Sequence, residues 1–170
     1  MDIGFGDVVV PSAERVDYPT LLEFPPARLF GYSKESTVAE KFEAMIQLGS
    51  INSRMKDFYD IWLLSRQFDF DGALLSRAIQ EAFFNRGTEV SLRPLAFEDS
   101  FAELADKKTQ RRGFLKTKVP NLPVPSELKD PVAQIQLFLG PVSESLASRE
   151  EFRRTWKAPG PWGTISPPKS

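Results

Sequence analysis

The sequence predicts an α+β protein in which a small β segment precedes a mainly helical body. Strand-forming residues gather in the first thirty-odd positions, beginning with Ile3, Phe5, Val8, Val9 and Val10 in the run Asp2–Val10. From Ser33 onward the apolar residues recur with the period of a helix. The composition, 41% hydrophobic and 26% charged over 170 residues, is that of a chain able to build a core rather than one too polar to fold.

In the Asp2–Val10 strand, Gly4 and Gly6 point to a bulge or a close backbone approach, and Pro11 ends the run. A second extended piece is expected near Tyr18 to Phe24, before Pro25-Pro26, and a short third strand over Arg28 to Tyr32. With all its strands in this opening part, the sheet is expected to need partners elsewhere and its first strand to expose apolar surface.

The first helix follows, capped by Ser33 or by the box Thr37-x-x-Glu40, with Val38, Phe42, Met45 and Leu48 at helical spacing and Gly49 as its stop. A loop over Ser50–Ser53 leads to a second helix at about Arg54 to Gln67. A third, capped by Asp71, carries the stripe Leu74, Leu75, Ala78, Ile79, Ala82 and Phe83 and closes at Gly87. A weaker fourth helix covers about Phe97 to Lys116, a Pro-rich linker follows over Val119–Pro125, and a fifth helix runs from about Ser126 to Ser148, where Pro141 is expected to kink or split it. The tail from Lys157, with Pro159, Pro161, Pro167 and Pro168, is expected to lack regular structure. The organisation read this way is a β segment over 1–32, a helical motif region over 33–87, C-terminal helices over 88–156 and a Pro-rich tail over 157–170.

Composition removes whole classes of chemistry. The chain has neither cysteine nor histidine, so disulfides, thiolate zinc sites, cysteine nucleophiles, imidazole bases and His-ligated metals are all excluded. Any metal would be held by oxygen ligands, which favours Mg²⁺, Mn²⁺ or Ca²⁺. A net charge of −1 argues against binding nucleic acid by overall charge, although it leaves a local basic groove open. No basic-then-apolar leader and no bilayer-length apolar run is present, which predicts a soluble, cytoplasmic chain without membrane partners.

Projected at 100° per residue, the first helix places Val38, Phe42, Met45, Ile46 and Leu48 in one sector and Glu40, Glu43 and Gln47 opposite. Lys41 falls inside the apolar sector, between Met45 and Leu48. Such an ammonium either reaches out to water along its stem or meets an anion, and a phosphate is one such anion. On the second helix Met55, Phe58, Tyr59 and Trp62 share one face, while Asp57 and Asp60 lie together on the other, near Ile61 and Leu64. The simpler reading of that side is a polar face with a Lys56–Asp60 pair worth about 0.3–0.5 kcal/mol. The chemical reading is a pair of carboxylates that orients Lys41 or Arg54, or takes a proton from an attacking hydroxyl. Asp69-Phe70-Asp71 has the letters of a metal-binding D-x-D but sits in a turn, where Asp71 caps the next helix.

Val38-Ala-Glu-Lys41-Phe-Glu-Ala44, followed by Asn52-Ser-Arg54-Met-Lys56-Asp57-Phe-Tyr-Asp60-Ile-Trp-Leu, resembles the paired helical motifs of the AbiEii/AbiGii nucleotidyltransferase toxins. The opening Asp2-Ile-Gly-Phe-Gly-Asp7 and its valine run resemble the strand that precedes them. The likeness is strong over about 2–87 and looser beyond. It implies an incomplete polymerase-β-like nucleotidyltransferase sheet followed by the helical body, and a toxin that uses Mg²⁺ and a nucleoside triphosphate, with tRNA as an acceptor and a cognate antitoxin as partner. Lys41 and Asp57 match positions implicated in activity, and Arg54, Lys56 and Asp60 belong to the same motif. The resemblance thus implies Lys41, Asp57 and Asp60 as catalytic, Lys41, Arg54 and Lys56 as nucleotide-binding, and Asp2 as a metal ligand. The family's Gly-Gly or Gly-Ser with its strand-borne D-x-D has no counterpart here. The expectation is therefore a C-terminal portion of such a transferase, close to inert alone, or alternatively a non-catalytic module that binds an antitoxin or complements a split transferase.

Overall fold

The computed structural model describes residues 14–18, 27–118 and 124–163, with the first two strands and Lys118 described by their backbone alone. Strand β1 (Glu14–Tyr18) pairs antiparallel with β2 (Ala27–Gly31), with Val16 opposite Leu29. β2 falls where a strand was expected. β1 instead precedes the expected piece at Tyr18–Phe24, because Val16 and Tyr18 alternate with Arg15 and Asp17 in the period of a half-buried strand. The strand expected over Asp2–Val10, with Asp2 and its apolar surface, lies outside the described residues, as does most of Tyr18–Phe24.

Helix α1 (Lys34–Leu48) is capped by Ser33, whose hydroxyl accepts from the Ser36 N–H at 3.0 Å, so Ser33 rather than Thr37 sets its start. Gly49, at φ 49°, ends it. Helix α2 (Met55–Gln67) has no side-chain cap, and the buried Asn52 accepts from the Arg54 N–H just ahead of it, at 2.8 Å. After the two-residue strand β3 (Phe70–Asp71) comes α3 (Gly72–Arg86). Asp71 caps α3 by accepting from Ala73 and Leu74 N–H, and Gly87 in the left-handed region at φ 65° closes it. Of the stripe expected on α3, Leu75, Ala78, Ile79, Ala82 and Phe83 are buried, whereas Leu74 is 38% exposed. It sits at the edge of that arc, beyond the reach of α1.

The single helix expected over Phe97 to Lys116 is two: α4 (Asp99–Glu103) and α5 (Ala105–Lys118). Leu104, at ψ 136°, leaves the helical region between them. The break gives each half its own inward face, Phe101 and Ala102 before it, Lys107 and Arg111 after it. Helix α6 (Lys129–Ala147) runs through Pro141 without splitting.

Pairing also occurs far from the opening strands, where β4 (Thr155–Trp156) lies antiparallel to β3. Trp156 is fully buried and its indole N–H donates to the Ser65 carbonyl at 2.6 Å, tying β4 to α2. Trp162 forms a bridge with Trp156 and donates to the Phe138 carbonyl of α6 at 2.7 Å. Up to Gly163, therefore, the segment expected to be an irregular tail folds back on the body. Its prolines dominate the composition, but the two tryptophans between them hold it through rings 4.8–5.7 Å from Phe138, Phe152 and each other.

α1 packs mainly on α3 and α2 on α6, around one core in which Phe42 stacks on Phe97 and Phe58 on Phe101. Among the described residues no helix is long and apolar enough to cross a membrane. Trp156→Ala would remove a full aromatic volume and strand the Ser65 carbonyl. It should lower unfolding free energy by about 3–5 kcal/mol, read as an earlier urea midpoint.

Candidate functional site

α1 and α2 leave Gly49 and Met55 at a short connection, so the flank of α1 that carries Lys41 faces the flank of α2 that carries Asp57 and Asp60. Lys41 Nζ lies 3.1 Å from Asp57 Oδ1 and 2.7 Å from Asp60 Oδ2. The lysine side chain is only 19% exposed and that of Asp57 3%. Lys41 thus neither extends into open water nor lacks a counter-charge: it bridges the two helices between two carboxylates. Burial alone disfavours its ammonium, yet the hydrogen bond it donates to Asp60 and the charges of Asp57 and Asp60 outweigh burial and raise its pKa above the ordinary lysine value.

Two more cations complete the cluster. Arg54 Nε stands 2.9 Å from Asp57 Oδ2, an ion pair without hydrogen-bond alignment, since that oxygen has no aligned donor. Lys56 Nζ donates to Asp60 Oδ2 at 2.5 Å, the i,i+4 pair expected from the sequence. Both cations are exposed, and the structure brings together all five residues singled out on these helices.

The chemistry of this donor set is decided by charge. Three cations surround two carboxylates, leaving a net +1, and both carboxylates already face cations. An Mg²⁺ ion would have to sit beside the ammonium that the same oxygens hold, so Asp57 and Asp60 do not fit a divalent metal. No group of three or more acidic side chains able to hold a metal forms among the described residues. Asp69 is spent on Lys157 and the Ala158 N–H, and Asp71 on its helix cap. An anion fits better. An ammonium has three donors, of which Lys41 uses two, and the exposed guanidinium of Arg54 carries N–H groups beyond the Nε that faces Asp57.

On the far side of α1, Glu43, which the projection places opposite the apolar sector, is fully buried. It accepts from Thr88 Oγ1 at 2.5 Å and pairs with Arg86 Nε at 3.4 Å, while Arg86 also donates to Glu40. The segment after α3 covers this face, a long-range packing effect that periodicity within α1 does not encode. It clamps α1 to α3 and so fixes the flank that carries Lys41.

Residues 1–135 match the protein-family model for the nucleotidyl transferase AbiEii toxin of type IV TA systems. The chain belongs to the AbiEii family. That family comprises nucleotidyltransferase-type toxins of type IV toxin–antitoxin systems, which brings a nucleotide substrate and an antitoxin partner with it. Comparison with curated proteins and with solved structures returned no match. The matched span contains the whole Lys41 cluster and ends within α6, ahead of the Trp156–Trp162 cap.

One feature near the AbiEii cluster escaped the sequence reading. α5 holds Lys107, Lys108, Arg111, Arg112, Lys116 and Lys118 against the single acid Asp106, a net +5 within a chain whose total is −1. A window of about fourteen residues would have found it; the whole-chain average conceals it.

Lys41→Met leaves Asp57 with Arg54 as its remaining cation, so the loss in stability should be about 1–3 kcal/mol rather than that of a fully abandoned buried charge. Because the folded pKa of Lys41 is raised, its contribution is complete below the unfolded lysine value and is lost as pH rises through the folded one. The difference between wild type and variant in urea melts should therefore be flat from about pH 6 to 9 and shrink only in strong alkali.

Proposed function

We propose that the Lys41 cluster binds the phosphates of a nucleoside triphosphate and serves nucleotidyl transfer to the 3′ end of an RNA, with tRNA as the acceptor. The observation that carries this is the charge of the cluster: net positive, with a third N–H left on Lys41, inside the span over which the chain matches its family. In this reading the acceptor hydroxyl attacks the α-phosphate, its oxygen–phosphorus bond forms as the bond to pyrophosphate breaks, its proton passes to water, and negative charge builds on the phosphate oxygens. Lys41 meets that charge with its third N–H. Asp57 and Asp60 are positioning residues, holding the ammonium in place before the substrate arrives, so little reorganisation is needed when charge develops. Arg54 and Lys56 add charge at the mouth.

Phosphoryl transfer in this class also draws on Mg²⁺, which neutralises phosphate charge when bound. The carboxylates of the cluster do not supply its ligands, and Asp2 lies outside the described residues. Triphosphate binding reads the Lys41 cluster directly and is therefore the sharper measurement.

In a titration with labelled triphosphate, Lys41→Ala should weaken binding roughly tenfold, the worth of one charge-assisted hydrogen bond. Where transfer of label to total tRNA with Mg²⁺ is detectable, the same variant should slow it by about 10²-fold or more. Equal binding and equal labelling by wild type and Lys41→Ala would remove Lys41 from the site.

A further inference from the structure

A groove of about 870 Å³ separates the outer face of α3 from the segment that follows α6. Ala73, Arg77, Gln80 and Phe84 form the α3 wall, at the spacing of a single helical face. Leu146, Arg149, Glu150 and Phe152 form the other wall, and Thr88 and Val90 also line the groove.

Phe84 is 84% exposed, more than any other large apolar side chain among the described residues. Leu74, on the same helix, is exposed into the same groove. A protruding ring therefore stands beside an apolar recess on one surface.

Arg149 ends α6 in the left-handed region at φ 57°, alone among the described non-glycine residues. Its N–H donates to the Leu146 carbonyl and the Glu150 N–H to the Ser145 carbonyl, a helix stop at which glycine avoids the clash of a Cβ. Gly87 takes the corresponding place after α3. With arginine there, the chain holds a strained backbone and sets a guanidinium on the groove wall.

The charges are of both signs. Arg77 and Arg149 meet no carboxylate among the described residues, and the Glu150 side chain meets no cation. Glu151 is already paired with Arg153 at 2.6 Å. A polyanion would meet Glu150 here, a polycation would meet two guanidiniums, and a lipid surface would find no basic field. A face that carries its own knob, recess, cation and anion is complementary to a copy of itself, which is what a two-fold contact demands.

We propose that this face is the interface of a two-fold dimer of the chain. Phe84 of each copy enters the groove of the other, which lays each α3 against the opposite segment after α6 and sets Arg77 against Glu150 across the axis. An aromatic anchor seated in a pocket and ringed by charge is the arrangement that concentrates binding energy. The contact also covers Thr88, whose hydroxyl donates to the buried Glu43, so the partner shields the clamp that fixes α1.

Sedimentation velocity of the full chain over about 1–500 µM reads the association. The mass should rise from 19.2 kDa to twice that value and stop there, as a closed contact dictates. Phe84→Glu acts twice in each dimer and should weaken association at least about a hundredfold. Its urea midpoint at the lowest concentration should match wild type, because the ring is exposed in the single chain. Arg77→Glu and Glu150→Arg each set like charges opposite one another and should each weaken association about tenfold. An equimolar mixture of those two variants should recover wild-type association as a heterodimer, which no pairing within one chain can produce. The proposal is overturned by a wild type that stays at 19.2 kDa throughout or assembles beyond the dimer. Association indifferent to Phe84→Glu, or a mixture that associates no better than its components, overturns it equally.

Discussion

The ammonium of Lys41, held between Asp57 on one oxygen and Asp60 on another, is the contact on which the arrangement of this chain turns. It joins two helices at a place where the apolar stripe of α1 is interrupted by a charge, and an unpaired charge there would cost several kcal/mol. The carboxylates remove that cost only because α2 arrives with Asp57 and Asp60 one turn apart on the facing side. Each partner therefore requires the other, and the motif that is recognisable in the sequence is a statement about the docking of α1 on α2 as much as about chemistry. A lysine that must be ordered to keep the fold intact is also ordered before any substrate binds.

That docking is held from two further directions. Glu43, buried under Thr88 and Arg86, pins the opposite flank of α1 to the end of α3, so α1 cannot roll about its axis without breaking a second buried carboxylate. The hydrogen bond from Trp156 to the Ser65 carbonyl, with Phe138 and Trp162 packed beside it, pins the far end of α2 to α6 and β4. The site thus depends on residues more than ninety positions away, beyond the family-matched span. Rigidity at the Lys41 cluster is a property of the assembled helices and not of the motif alone.

What could be read in the sequence divides along this line. Local rules offered Ser33 as one of two caps for α1 and placed the stop at Gly49, the cap at Asp71 and the stop at Gly87, because each is decided by backbone geometry within four residues. The helical projection likewise put Lys41 in the apolar sector and Asp57 beside Asp60, where the structure has them meet. It failed where a distant segment decides burial: Glu43 falls opposite the apolar sector yet is buried under Thr88, and Leu74 falls in the apolar stripe of α3 yet stays 38% exposed. The break at Leu104 and the fold-back of Trp156 and Trp162 are also long-range, set by which aromatic ring finds the core. The opening strands, where the resemblance implied an incomplete transferase sheet, lie largely outside the described residues, and the described part adds only the antiparallel pair β1–β2.

Charge shows how an average can hide the informative quantity. At −1 the chain looks unsuited to polyanions, yet that figure is the difference between a +5 helix and a −6 remainder. Screening at physiological salt confines a surface charge to roughly 8 Å, so a ligand in a groove feels its walls and not the total. The same logic separates metal from phosphate at the Lys41 cluster. Counting acids alone would nominate Asp57 and Asp60 as metal ligands, whereas counting the cations beside them shows each carboxylate already facing two and the balance positive. Two carboxylates surrounded by three cations form a frame for holding cations still, and what such a frame presents outward is positive charge with unused donors.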